Sequence, residues 1–267
     1  MKIPAYAKIN TTLEVYGVRA DGYHELRSVV QPISLADVLD VEATADGAVA
    51  TDTPYGEDDL VVRAAKALRA TAGAAGARLG ARVKIEKKIP VGGGLGGGSA
   101  DAAAALRALN ELWKLRRTTE ELAAVGASVG SDVPALVWAQ TLRAPVLMEG
   151  RGERVTPLPA ESRDERPLVL VSPGVSVSTA EVYKRCLART QPATGSVNDL
   201  QAAACQVCPA IALVLVALTA AGAKDVMMSG SGSVVYGFAP DAAAAERIAE
   251  RLGAVGAKTW ITSLLQK

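Results

Sequence analysis

Histidine and cysteine are scarce in this chain of 267 residues, which has one histidine, His24, and three cysteines, Cys186, Cys205 and Cys208. Three is an odd number and no secretion signal is evident, so a disulfide framework is not expected. Cys205 and Cys208 form a C-x-x-C pair, but without a second pair or further histidines they cannot complete a four-ligand zinc site. We expect the cysteines to be small, buried apolar residues.

An excess of charge of either sign is also absent. Lysine and arginine total 29, aspartate and glutamate total 28, and the net charge is +1. Such a surface has no broad attraction for nucleic acid or an anionic membrane, so neither is an expected partner. The N-terminus lacks the long apolar core of a signal peptide, because Lys8 and Asn10 interrupt it. These features predict a cytoplasmic protein.

Charge is missing altogether from residues 200–223, a stretch long enough to cross a bilayer. Pro209 divides this stretch. The part that follows, residues 211–218, is predicted to form a short apolar helix that ends near Gly222, with proline at its first turn and glycine at its end. We therefore expect buried core helices here, not a membrane span.

Glycine, by contrast, is concentrated in one place, since every residue of 92–98 except Leu95 is glycine. Only glycine lets consecutive backbone N–H groups turn toward an anion without crowding by a Cβ atom. This run predicts a loop that binds the phosphates of a nucleotide. The residues of the predicted loop are Pro90, Val91, Gly92, Gly93, Gly94, Leu95, Gly96, Gly97, Gly98, Ser99 and Ala100.

The sequences on either side of the glycine run support this interpretation. Residues 82–89 alternate between apolar and charged side chains, as in a half-buried strand. After the run, Leu106, Leu109 and Trp113 recur at helical spacing, and Asp101 is expected in the first turn, where the helix dipole favours negative charge. A helix that begins here would turn its positive end toward the bound phosphates.

Three alternative roles for the glycine run can be tested on the sequence. A P-loop would end in Gly-Lys-Ser/Thr, but no lysine follows these glycines, so it is excluded. A dinucleotide-binding fingerprint fits Gly92, Gly94 and Gly97, yet Glu111, about 20 residues on, falls inside the predicted helix and does not end a second strand. A flexible linker rarely sits between a strand and a helix.

The order of predicted elements indicates an α+β fold, not a doubly wound sheet. In the first half we predict strands over residues 8–16 and 37–43, turns at Asp21-Gly22 and Asp46-Gly47, and a helix over residues 60–72 after the acidic cap 57–59. In the second half we predict a strand over 168–172, helices, a polar turn over 229–233, a strand over 234–238, a helix over 241–252 and a strand over 258–264.

A proline-rich, charged segment at residues 156–167 predicts a junction between two domains. Residues 1–155 would then form an N-terminal nucleotide-binding domain, and residues 156–267 a C-terminal domain.

Three polar residues could carry chemistry beside the phosphates. In a strand, Lys8 and Asn10 share a face, so they can act together. A lysine beside phosphates can offset developing charge, although a lysine taken alone is more often a solvated surface residue. Asp132 lies in a bend flanked by apolar residues, where it could act as a general base in phosphoryl transfer or merely cap a helix.

Five segments together resemble the GHMP small-molecule kinases across nearly the whole chain. They are Ala-Lys-Ile-Asn at 7–10, Asp-Gly-Tyr-His-Glu-Leu at 21–26, the loop and helix at 90–103, Gly-Ser-Asp-Val-Pro at 130–134, and residues 228–233. The resemblance implies a two-domain α+β kinase with an N-terminal ATP-binding domain and a C-terminal substrate-binding domain. Mg²⁺ is expected from phosphoryl transfer in general, with its ligands unknown and Ser99 the one candidate.

The segment at 21–26 narrows the resemblance to a kinase that phosphorylates the 2-hydroxyl of a branched tetritol linked to cytidine diphosphate, in the non-mevalonate isoprenoid route. On this resemblance, Asp132 takes or orients the hydroxyl proton, Lys8 stabilises charge and Asn10 contacts the substrate. Tyr23 and Tyr183 would stack on the cytosine while His24 reads its edge. Further expected substrate contacts are Thr179, Ser229, Gly230 and Ser231.

Other functions remain open from the sequence alone. Another GHMP kinase would act on homoserine, mevalonate or a sugar, none of which has a base to stack on Tyr23 and Tyr183. A catalytically silent nucleotide sensor on the same fold would bind ATP but release no ADP. A dinucleotide-dependent oxidoreductase would bind NAD(H).

Overall fold

The computed structural model describes residues 1–20, 22–159, 164–195, 197–254 and 256–266. Asp21 of the predicted first turn and residues 160–163 of the predicted junction lie outside the described residues. The strands of the first sheet are β1 Lys2–Val18, β2 His24–Thr44, β3 Val49–Thr51, β4 Gly80–Glu86, β5 Val146–Gly150 and β6 Arg154–Pro157. The helices of this half are α1 Leu60–Ala70, α2 Gly97–Leu112, α3 Thr119–Ala127 and α4 Val133–Leu142.

The second half forms a separate sheet with its own helices. Its strands are β7 Leu168–Ser172, β8 Lys224–Met228, β9 Val235–Phe238 and β10 Lys258–Thr262. Its helices are α5 Thr179–Arg185, α6 Leu200–Val207, α7 Ala210–Ala220 and α8 Ala242–Gly253. The predicted α+β class is confirmed. Strand β8, which leads into the predicted polar turn at 229–233, was not predicted.

Strand β2 organises the first sheet, whose order is β3-β4-β2-β5-β6 with β1 also paired to β2. The strand predicted over residues 37–43 is the end of this longer element. The antiparallel pairing of β1 with β2 shifts register between Asn10 and Thr12. This irregularity lies beside the two polar residues that were predicted to act together.

Helix α2 is the buried centre of the first half and packs against α1, α4 and β1. Its small alanine side chains allow close approach on all sides, and Leu106 and Leu109 are fully buried as their spacing predicts. The helix begins at Gly97, because Gly96 adopts a left-handed conformation (φ +71°) at the N-cap. The predicted place of Asp101 in the first turn is therefore wrong. Asp101 lies one turn further on and is buried.

The uncharged stretch at 200–223 forms α6 and α7, separated at Pro209 as predicted. Among the described residues, no single helix is long and apolar enough to cross a membrane, and α6 and α7 reach that length only as a pair bent by 117°. The prediction that α7 is a core helix holds for Ile211 and Leu218, which are buried, but not for Leu213 and Val216, which are 71% and 69% exposed.

The three cysteines are free thiols and are half-buried, so the prediction that they are buried was only partly right. Cys205 and Cys208 pack against the core of the second half together with Cys186. Burial raises the pKa of the Cys186 and Cys205 thiols. The thiols therefore act as small apolar side chains at the edge of this core.

Strand β1 also joins the two halves of the chain. The Leu13 N–H donates to the Val197 carbonyl (2.7 Å) and the Leu13 carbonyl accepts from the Asp199 N–H (2.9 Å). Close by, the Tyr236 hydroxyl donates to the Asn10 carbonyl (3.0 Å). These contacts place the middle of β1 where the second half meets the first.

Candidate active site

A cleft of about 1280 Å³ opens where the two halves meet. It is lined by the glycine loop, by the middle of β1, by the Ser131-Asp132 bend and by the turn at residues 230–232. Tyr23, His24, Thr179 and Tyr183 line it as well. The segments that were predicted to bind nucleotide and substrate therefore share one cavity.

Close packing within the loop accounts for several of its glycines. Gly92, Gly94 and Gly96 have positive φ angles, which favour glycine. A Cβ built on Gly94 would clash with the Ser229 carbonyl oxygen. The Ser229 hydroxyl donates to the Gly94 carbonyl (3.0 Å), so the loop and the predicted polar turn are fastened together.

The N-terminus of α2 is open toward the cleft. Its N-cap, Gly96, has no side chain to accept from the first N–H groups of the helix. Gly97, Gly98 and Ser99, which supply these N–H groups, all line the cavity. This is the arrangement that binds phosphate at helix ends.

Lys8 and Asn10 are held by a chain of hydrogen bonds on β1 and β2. The Lys8 ammonium donates to Asn10 Oδ1 (2.6 Å), Asn10 Nδ2 donates to the Ser28 hydroxyl (2.7 Å), and Ser28 donates to the Thr12 carbonyl (2.6 Å). Lys8 and Asn10 are only 3% and 1% exposed. Lys8 is therefore not a solvated surface lysine, and its ammonium is fixed in position.

Lys8 also contacts the loop directly. Its backbone N–H donates to the Leu95 carbonyl (3.1 Å), and a Cβ built on Gly96 would lie 3.2 Å from the Lys8 side chain. On the other side, a Cβ built on Gly230 would lie 3.1 Å from Lys8 Nζ. Glycine at 96 and 230 leaves space around the ammonium.

Asp132 is the N-cap residue of α4, but its side chain makes no capping hydrogen bond. Its Oδ2 lies 3.5 Å from Lys8 Nζ, and the side chain is 32% exposed. The helix-cap interpretation is therefore wrong for this carboxylate, which faces the cleft and the lysine. The structure brings Lys8, Asn10 and Asp132 together, as predicted.

Below the loop lies a buried charge cluster that the sequence did not reveal. Lys87 binds two carboxylates, Asp101 Oδ2 at 2.7 Å and Asp37. Asp37 also accepts from the backbone N–H of Ile89 (2.8 Å), just ahead of the loop. Burial raises the pKa of Asp101 to about 7, although the Lys87 charge opposes this. Burial lowers the pKa of Lys87, but the two carboxylates together outweigh it, so the pKa of Lys87 is raised. Lys87 lies next to Glu86 and Lys88 in the sequence, and this charged stretch gave no sign that Lys87 pairs with two buried carboxylates.

The residues expected to bind a base line the same cleft. The rings of His24 and Tyr183 are 4.9 Å apart at 38°, and burial raises the pKa of the Tyr183 hydroxyl. Tyr23 is 52% exposed, and the guanidinium of Arg151 lies 5.3 Å from the centre of its ring. All three rings line the cleft, and their role in binding cytosine stays a prediction.

The polar turn is braced from two sides. Thr179 and Ser231 are joined through their hydroxyls (2.8 Å). Asn198 donates to the Met228 and Gly230 carbonyls (2.8 Å each). Asn198 was missed because its spacing in the sequence follows no motif; only the fold brings it to the turn.

No group of three or more histidine, cysteine, aspartate or glutamate side chains that could hold a metal ion occurs within the described ranges. Ser99 and Asp132 both line the cleft, and the Ser99 hydroxyl would lie 3.9 Å from a Cβ built on Gly130. A hydroxyl and one carboxylate beside a phosphate site suit Mg²⁺, which keeps several waters and uses few protein ligands.

The fold and this cleft define a small-molecule kinase of the GHMP class. Residues 59–140 match the sequence model of the GHMP kinases N terminal domain, and residues 185–258 match that of the GHMP kinases C terminal domain. Kinases of this class use ATP.

Relatives at higher identity narrow the class. The 4-diphosphocytidyl-2-C-methyl-D-erythritol kinase of Symbiobacterium thermophilum is 39% identical over 99% of this chain and 100% of its own length. That of Moorella thermoacetica is 39% identical over 99% of both chains. A crystal structure of a 4-(cytidine 5'-diphospho)-2C-methyl-D-erythritol kinase superposes with a TM-score of 0.83 at 35% identity, covering both chains completely. This chain belongs to the 4-diphosphocytidyl-2-C-methyl-D-erythritol kinase family.

More distant structures share the fold alone. A crystal structure of mevalonate kinase has a TM-score of 0.72 at 12% identity and covers 100% of both chains. The expected GHMP resemblance is confirmed by the two sequence models, whereas likeness to mevalonate kinase says nothing about the substrate.

Proposed function

We propose that this protein transfers the γ-phosphoryl group of ATP to the 2-hydroxyl of 4-diphosphocytidyl-2-C-methyl-D-erythritol, giving the 2-phosphate and ADP, in the non-mevalonate route to isoprenoid precursors. The observation that carries the proposal is the 3.5 Å separation of Lys8 Nζ and Asp132 Oδ2 in a cleft lined by the glycine loop. The identity of the substrate is inferred from the relatives, which are 4-diphosphocytidyl-2-C-methyl-D-erythritol kinases.

The nucleotide end of the site is assigned to residues 90–99. The prediction for Ala100 is wrong, because this residue is fully buried and its N–H donates to the Gly96 carbonyl at the start of α2 (2.7 Å). The open N-terminus of α2 and the N–H groups of the glycine loop would receive the phosphates of ATP. Because the loop is fastened to Ser229 and to β1, its N–H groups need little reorganisation when ATP binds.

The chemistry is assigned to Lys8, Asn10 and Asp132. Asp132 accepts or orients the proton of the attacking hydroxyl, an effect worth about 10²- to 10⁴-fold in rate. Lys8, held by Asn10, offsets the negative charge that develops during phosphoryl transfer. Asn10 also contacts the substrate beside them.

The cytidine end is assigned to the aromatic cluster. Tyr23 and Tyr183 stack on the cytosine, at about 1 to 3 kcal/mol per stacked base, and His24 forms hydrogen bonds with its edge. Thr179, Gly230 and Ser231 form the wall that closes over the substrate. The predicted contact of Ser229 is wrong, because Ser229 is fully buried and its hydroxyl fastens this wall to the glycine loop.

Mg²⁺ would be held by the ATP phosphates together with the hydroxyl of Ser99, which lines the cleft. It would neutralise charge on the β- and γ-phosphates. We also propose that residues 1–155 form the ATP-binding domain and residues 156–267 the substrate-binding domain. This boundary falls inside β6, whose four residues all pair with β5 of the first sheet.

ADP release measured with three alcohols tests the proposal. The purified protein should turn over 4-diphosphocytidyl-2-C-methyl-D-erythritol and leave homoserine and mevalonate almost untouched. A preference for either of these would overturn the substrate assignment. ATP binding without ADP release, whichever alcohol is supplied, would instead indicate a nucleotide sensor, and NAD(H) binding would support an oxidoreductase.

A further inference from the structure

Arg151 reaches the cleft from the tight turn between β5 and β6. It is an exposed residue that lines the cavity, and its guanidinium lies over the ring of Tyr23. A cation in this position is attracted by the negative face of the ring. Arg151 is thereby held at the end of the cleft that is assigned to cytosine.

The turn is fixed against the catalytic bend. Gly150 and Gly152 have positive φ angles, and a Cβ built on Gly152 would clash with the backbone of Ser131. The Arg151 N–H donates to Glu153 Oε2 (2.7 Å), which closes the turn. Arg151 and Asp132 therefore come from segments in direct contact, and the Arg151 side chain extends from there toward Tyr23.

Arg151 differs from the other cationic side chains of the cleft in its ion pairing. Those cations are paired: Lys8 with Asp132, Lys87 with Asp37 and Asp101, and Lys184 with Glu181. Within the part of the chain that the structure describes, Arg151 forms no ion pair. Glu153, the nearest acid along the turn, has its carboxylate 3.5 Å from Arg19.

We propose that Arg151 binds the diphosphate of the substrate. The inference rests on the proposed function: with cytosine at Tyr23 and the acceptor hydroxyl at Asp132, the diphosphate of a cytidine diphosphate ester lies between them. A guanidinium reaching from the bend to Tyr23 can form two parallel charge-assisted hydrogen bonds with phosphate oxygens. Arg151 is then a specificity-determining residue that favours esters of cytidine diphosphate over uncharged cytidine derivatives.

Binding of cytidine and of CDP by Arg151→Gln tests this assignment, with the ATP site filled by a non-hydrolysable analogue. CDP should bind about tenfold more weakly or worse, as expected for loss of a hydrogen bond to a charged group, while cytidine affinity stays unchanged. The KM for the substrate should rise with little change in the KM for ATP. Arg151→Lys should retain part of the CDP affinity because it keeps the charge.

Arg143→Gln is the matched control. Arg143 is also an exposed arginine over a tyrosine ring, 5.9 Å from the centre of Tyr6, but it does not line the cleft. It should bind CDP like the wild type. Equal weakening of cytidine and CDP in Arg151→Gln, or no weakening, would overturn the assignment. If the wild-type protein bound neither ligand, the proposed cytidine site itself would fail.

Discussion

The ammonium of Lys8 lies 3.5 Å from the Asp132 carboxylate, although one residue belongs to the first strand and the other to the start of the fourth helix. The carboxylate does not cap its helix and remains one-third exposed, so it can still accept a proton from a ligand. The pair thus joins a fixed cation and an available base at the phosphate loop.

Ser28 should matter to catalysis although it does not line the cleft. It is fully buried, and Ser28→Ala leaves Asn10 Nδ2 without its acceptor, which costs about 1 to 3 kcal/mol in the free energy of unfolding. Because Asn10 fixes the Lys8 ammonium, kcat should fall roughly tenfold with little change in the KM for ATP. Steady-state kinetics and urea unfolding measure both effects.

Ser128→Ala serves as the control for Ser28. Its hydroxyl is exposed and donates to the Val125 carbonyl at the end of α3 (2.8 Å). This variant should keep the kcat of the wild type. An unchanged kcat in folded Ser28→Ala would show that the hydrogen-bond chain does not position Lys8.

Two glycines of the same run should respond in opposite ways to alanine. At Gly94, alanine meets both a positive φ angle and the Ser229 carbonyl, so Gly94→Ala should lose about 2 kcal/mol or more of unfolding free energy and raise the KM for ATP. Gly98 lies in the first turn of α2, where a Cβ would meet only Leu60 at 3.4 Å. Gly98→Ala should gain about 0.5 to 1 kcal/mol. Equal effects in chemical denaturation would contradict the assigned loop geometry.

Asp101 predicts how stability depends on pH. Burial raises its pKa to about 7 from an ordinary value near 3.8, so the folded protein holds this proton more tightly than the unfolded chain does. The free energy of unfolding should therefore fall as the pH rises from about 4 to 7, by at most about 4 kcal/mol from this group. Asp101→Asn should flatten that fall, as measured by urea unfolding across the pH range.

Glu111→Gln is the control for Asp101, since Glu111 is an exposed carboxylate on the same helix. Glu111→Gln should leave the pH dependence of the free energy of unfolding as in the wild type. If Asp101→Asn also kept this pH dependence, Asp101 would not be the group whose titration lowers the stability.

The sequence predicted the parts of the site that depend on local pattern. Strand alternation put Lys8 and Asn10 on one face, and the hydrogen bond between them confirms it. The glycine run and the flanking patterns predicted a strand, loop and helix, but the helix begins earlier than expected because Gly96 can serve as its N-cap. Glycine is a weak guide to the first residue of a helix.

What the sequence could not show depends on contacts between distant segments. The Lys87 cluster needs Asp37 from β2 and Asp101 from α2, which no spacing connects. The exposed Leu213 and Val216 of α7 have the same hydropathy as buried residues, so composition cannot tell which face is covered.

A double-mutant cycle on Lys8 and Asp132 measures whether the two side chains act together in phosphoryl transfer. We predict that Lys8→Met and Asp132→Asn each lower kcat with 4-diphosphocytidyl-2-C-methyl-D-erythritol by about 10²-fold or more, and that the double variant is no slower than the slower single variant. ATP affinity should change little in Asp132→Asn. Full turnover by Asp132→Asn, or losses that multiply in the double variant, would contradict the account.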